Sequence, residues 1–111
     1  MARSLDDVIT LDFTTHNPLT GQIQNADALP TSQVFEDITD VPILTPVVVQ
    51  RGALVGNYRL TFVASAANGF EVDVSYNVIV TAIVAAITAK ARIASFNLES
   101  ITQMVRASFK G

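Results

Sequence analysis

Alternation of apolar and polar residues is clearest over residues 55–96. Tyr58, Leu60 and Phe62 alternate with Arg59 and Thr61. Tyr76, Val78, Val80, Ala82 and Val84 alternate with Asn77, Ile79, Thr81 and Ile83. A third run covers about 89–96. A period of two puts one set of side chains on a buried face and the other outside. Tyr, Phe, Val, Ile and Thr also suit a pleated, half-buried surface. The stretch therefore reads as an antiparallel meander. Its first turn, at 66–69, holds Asn68 and Gly69, a pair suited to positive φ. Its second falls near Ala85 and Ala86, where a tight hairpin would prefer Asn or Gly. The pattern leaves open whether the chain turns there or runs on.

The same alternation predicts a first strand over Val8–Thr14, with Ile9, Leu11 and Phe13 inward. Further strands are expected over 32–37 and 45–50. Pro42 and Pro46 cannot donate to a central ladder, so 38–44 reads as edge strand or connection. Residues 1–7 carry no period and read as an exposed N-terminal arm. Residues 15–31 are rich in Asn, Pro, Gly, Thr and Asp and form a long loop, an uncommon feature in a small domain and often a functional one. It either contacts a neighbouring subunit, through His16, Asn17 and Leu19, or folds onto its own sandwich with Ile23 and Leu29 at the core edge. Residues 97–111 change character. Asn97 can cap a helix, and Leu98, Ile101, Met104 and Val105 recur at helical spacing. Glu99 lies near the N-terminal end of that segment and Arg106 and Lys110 near the other, which complements the helix dipole. This tail either closes the domain's own core or docks on another chain.

The expected fold is an all-β, Ig-like antiparallel β-sandwich of about seven strands with a short C-terminal helix or tail. The expected division is an arm over 1–7, a sandwich over 8–96 and a tail over 97–111. The 111 residues suffice for one core. Only 15% of residues are charged, against a usual quarter, which suits a surface partly covered by neighbours as well as a plain monomer. A net charge of −3 provides no basic field for a phosphate backbone, so nucleic acid is not an expected partner. No apolar run reaches 18 residues, so no membrane span is expected, and the N-terminus lacks the apolar stretch of a secretory signal.

The chain has no cysteine, which removes disulfides, thiolate metal sites and a Cys nucleophile. His16 is the sole histidine and stands at no motif spacing from a nucleophile. Glu36, Asp37 and Asp40, with Asp27, are the densest acidic group and could offer oxygen ligands to Ca²⁺, but EF-hand spacing is absent. No phosphate-binding Gly-rich loop, HExxH or GxSxG is present. The expectation is therefore no enzyme, no catalytic residue, no metal and no cofactor.

Three pieces in order then carry a family likeness: LDFTTHNPLTGQIQNADALP, QVFEDITDVPIL, and VGNYRLTFVASAANGFEVDVSYNVIVTAIV with ITAKARIASFNL. They include Thr15, His16 and Asn17; 27–30; Phe35, Glu36 and Asp37; Gly56, Asn57 and Tyr58; 68–71; and Ser75 with Tyr76. Over residues 8–98 the chain resembles a small Ig-like domain of tailed-bacteriophage virion proteins. It departs from the pattern at Ala85 and Ala86, where a Gly-containing turn is usual. The resemblance implies a structural virion protein, assembled in the host cytoplasm, that binds capsid, portal or tail subunits, and it brings no site residues. The leading expectation is a head decoration or cement protein in a symmetric homo-oligomer. The alternatives are a tail, neck or baseplate component and, in another class, a carbohydrate-binding adhesion module. The candidate subunit contacts are Leu98, Ile101, Met104 and Val105 in the tail and His16, Asn17 and Leu19 in the loop.

Overall fold

The computed structural model describes residues 2–99. Among the described residues eight strands are formed: β1 Ala2–Ser4, β2 Val8–Thr14, β3 Thr31–Glu36, β4 Pro42–Leu44, β5 Val48–Gln50, β6 Asn57–Val63, β7 Ser75–Val84 and β8 Ile87–Glu99. They make two sheets, one in the order β1-β8-β7-β3-β4 and one in the order β2-β6-β5. The all-β sandwich expected from the alternation is present. Its strand order is that of an immunoglobulin-type sandwich, with β2, β6 and β5 as B, E and D, and β8, β7, β3 and β4 as G, F, C and C′.

The core lies between the sheets, on the faces that the alternation marks. Ile9, Val34, Val48, Tyr58, Leu60, Phe62, Tyr76, Val78 and Val80 are buried, while Leu11 and Phe13 are half-buried against them. Four rings form its centre. Phe70 sits 4.8 Å from Tyr76 and 5.7 Å from Phe62, and Phe96 lies 5.6 Å from Tyr76, centroid to centroid. Offset and tilted ring pairs at these distances add to the gain from burial. The buried Ser32 hydroxyl donates to the Pro46 carbonyl at 2.9 Å, and that of Thr15 to Gln24 at 2.6 Å, so neither goes unpaired inside.

Four expectations are corrected. Residues 55–96 are not a meander: β6 pairs with β2 and β5, whereas β7 pairs with β3 and β8. Asn68 and Gly69 do not make a hairpin turn. They end a 3-10 turn, Ala66–Asn68, with Gly69 at φ 92°, and the chain then delivers Phe70 between the sheets as it crosses over. The N-terminal arm contains β1, which runs parallel to β8 with Ala2 opposite Asn97 and Ser4 opposite Glu99. The helix expected from Asn97 does not start there. Asn97, Leu98 and Glu99 belong to β8, and Leu98 is fully buried in the core. Strand pairing on both sides satisfies backbone groups that a helix N-terminus would leave open.

Ala85 and Ala86 do form a tight turn. Val84 pairs with Ile87, and the two alanines between them adopt φ 51° and 63°. Both being positive is the backbone of a type I′ turn, which costs alanine about 1–2 kcal/mol per residue. The long loop offsets this. The Asp27 carboxylate accepts from the amides of Ala85 at 3.2 Å and Ala86 at 2.9 Å, and the Asp27 amide donates to Ile83 at 2.7 Å.

Candidate interaction surface

The β7–β8 hairpin changes character along its length. Val78 pairs with Ala94 and Ile79 with Arg92, so Ile93 is an extra residue in β8. Such a bulge bends and twists its strand. Toward the turn of the hairpin from the bulge, every β8 residue over 87–92 is exposed, on both faces. Toward the other end, Phe96 and Leu98 are buried.

Cross-strand pairing puts Val80 with Ala91, Ala82 with Ala89 and Val84 with Ile87 on one face. That face looks into an apolar cleft of about 180 Å³. Phe13, Thr14 and Thr15 at the end of β2, and His16 and Pro18 from the loop, form the opposite wall. The cleft is thus a seam between the outer edge of β8 and the end of β2. No strand pairs with that edge of β8 over 87–96 among the described residues, because β1 covers only 97–99. An unpaired row of backbone groups beside an apolar cleft is a place where an extended segment can add. Lys90 and Arg92 alternate with the inward alanines, and charges at such positions blunt indiscriminate pairing.

The long loop is built onto its own domain, chiefly through polar groups. His16 pairs with Ile23 in an isolated bridge. Asn17 Oδ1 accepts from the amides of Leu19 at 2.8 Å and Thr20 at 3.2 Å, and its Nδ2 donates to Gln24 Oε1 at 3.0 Å. The Tyr58 hydroxyl accepts from the Ala26 amide at 2.9 Å, and Asn25 Oδ1 accepts from the Gly56 amide at 2.6 Å. Ile23 and Leu29 do not anchor the loop as expected; both remain exposed, and Ala26 and Pro30 are the residues tucked in. The reason is the chain path. Gly56, at φ 68°, brings its backbone so close that a Cβ there would meet Ile23 Cγ1 at 2.6 Å, so Ile23 packs on the Gly56 backbone rather than entering the core.

Of the residues singled out as contacts, His16 borders the cleft, Asn17 is half-buried in the loop's own turn, and Leu19 is 80% exposed at the loop tip. Leu98 is withdrawn as a contact, since it is buried between the sheets. Ile101, Met104 and Val105 lie outside the described residues. The acidic group is dispersed by the fold. Asp27 serves the hairpin turn, and Asp37 accepts from Asn77 Nδ2 at 2.6 Å, while Asn77 in turn accepts from Ser95 at 2.7 Å. On the outer face of the smaller sheet, Asp12 faces Arg59 at 2.7 Å and Arg51 at 3.8 Å. The Arg59 hydrogen bond, assisted by both positive charges and opposed by slight desolvation, holds the Asp12 carboxyl below its ordinary value of 3.8.

The cleft wall was missed because alanine is a weak signal. Ala82, Ala89 and Ala91 are uncharged small residues on an inward register, and they leave room above the strands. Comparison with family models, curated proteins and solved structures finds no match for the chain.

Proposed function

We propose that this chain is a structural protein of a tailed-bacteriophage particle, seated on the head as a decoration or cement protein against the major capsid subunit. The open seam is the observation that carries the reading. It presents an apolar cleft beside a strand edge that no other described strand covers. A docking module needs such a surface; a self-sufficient domain does not. The family likeness supports the fold part of this reading more than the docking part. Asp27, Gly56, Tyr58, Gly69 and Tyr76 among its residues each hold a turn, a loop or a ring in place. The aromatic residues among those described are buried or half-buried, so no ring platform faces solvent for sugar stacking.

The test is a mass-spectrometric copy number in purified particles. Hundreds of copies per particle are expected. A dozen or fewer would move the protein to the neck, tail or baseplate, and absence from particles would overturn the virion reading.

A further inference from the structure

We infer that the seam is a self-assembly site: the C-terminal segment 100–111 of a second copy adds as a strand along the free edge of β8. The inference concerns the isolated chain and holds whichever particle, if any, the protein joins.

Three observations carry it. The first is the edge over 87–96, which no other described strand covers, beside an apolar cleft. Its alanines leave space for side chains from an added strand, and its backbone supplies a ladder. The second is the sequence that follows β8. Ile101, Val105, Ala107 and Phe109 recur at even spacing with Gln103, between Thr102, Met104, Arg106, Ser108 and Lys110. That is a period of two with one face mostly apolar, which fits a strand laid in a cleft. With Leu98 committed to the core, the helical stripe loses its first member.

The third observation is where the segment starts. β8 ends at Glu99, and β1 already occupies its edge over 97–99. A segment turning straight back along its own β8 would collide with β1. Reaching Arg92 from Glu99 takes seven residues, roughly 23 Å of extended chain, so 100–106 would be spent before the cleft is reached. A second copy meets neither limit and can lay the whole segment along the edge. Two copies exchanging segments reciprocally close a dimer; a one-way exchange builds a ring or chain.

One feature works against the pairing and supplies a signature. The polar face of the added strand carries Arg106 and Lys110 to the face of β8 that holds Lys90 and Arg92. Like charges side by side in a sheet repel. Added salt screens them, so the association should tighten between about 0.01 and 0.3 M salt, where the Debye length falls below 10 Å.

The experiment uses the purified chain, a variant ending at Glu99, and Ala91→Asp and Val105→Asp. Sedimentation velocity over a concentration series should show the full chain as a dimer or larger. The variant ending at Glu99 should be monomeric, with an unchanged near-UV circular dichroism spectrum. It should bind a synthetic peptide of residues 100–111, and Ala91→Asp in the same background should weaken that binding at least roughly tenfold, because it buries an unpaired carboxylate. Ala91 is exposed in the monomer, so this variant should fold; Ala89→Asp is the second variant for the same wall. Ala91→Asp keeps its tail and Val105→Asp keeps its cleft. Each alone should be monomeric, and their mixture should form a one-to-one heterodimer. A monomeric full chain, self-association that survives removal of 100–111, no peptide binding, or association that weakens with salt would each overturn the inference.

Discussion

The two ends of the β7–β8 hairpin are built from the same two strands, yet they have opposite fates. Below the bulge at Ile93, the inner face carries Tyr76, Phe96 and Leu98 and is covered by β6 and the crossover that delivers Phe70. Above it, the inner face carries Val80, Ala82, Val84, Ile87, Ala89 and Ala91, and the β8 side is left open. Large rings fill the space between two sheets; alanines cannot. Inward register is thus only half of burial. The other half is whether a second layer stands opposite, and at the upper end that layer is incomplete.

The sharpest test of the contrast is truncation in the lower half. Phe96→Ala should lower the unfolding free energy by about 3–5 kcal/mol, as large-to-small changes in a packed aromatic core do. Denaturant titration would measure this, and a loss under about 0.5 kcal/mol would erase the distinction between the halves. Leu60→Ala, on the facing sheet, should cost about 2–5 kcal/mol by the same measurement.

The turn that joins the two strands comes next. Asp27→Ala removes the acceptor for two amides, each bonded to a charged group, and should cost about 1.5–3 kcal/mol. Replacing Ala85 and Ala86 by Asn and Gly should raise stability by about 1 kcal/mol, since both positions have positive φ. If that pair lowers the melting temperature instead, the turn is not of the primed type. Gly56→Ala, where the loop crosses the smaller sheet, combines positive φ with a 2.6 Å contact and should cost about 1–3 kcal/mol.

The smallest effect lies on the solvent face of the smaller sheet. Asp12 has a folded pKa below its unfolded value, so its contribution is present above 3.8 and is lost as pH falls through the folded pKa. Acid titrations of the parent and Arg59→Ala should therefore run in parallel to about pH 4 and converge below it. A gap that widens below pH 3.8 would mean that the pair does not form. Exposed pairs contribute little, so this gap should be the least of these effects.

The sequence by itself determined the class of fold, the inner face of each long strand and most of the core, because burial on a pleat writes a period of two into the chain. Ile9, Tyr58, Leu60, Phe62, Tyr76, Val78 and Val80 were legible for that reason. Sheet membership was not. Local alternation is identical whether consecutive strands pair or cross between layers, so β6 and β7 read as neighbours although they belong to different sheets. Position 85–86 shows the same limit in miniature. Its alanines lack turn chemistry, and their backbone is held by Asp27 from 58 and 59 residues away. The candidate site is the extreme case. A cleft is made by what is missing opposite a strand, and only the tertiary structure, by ending β1 at Ser4 and leaving the edge of β8 over 87–96 without a partner among the described residues, decided where that would be.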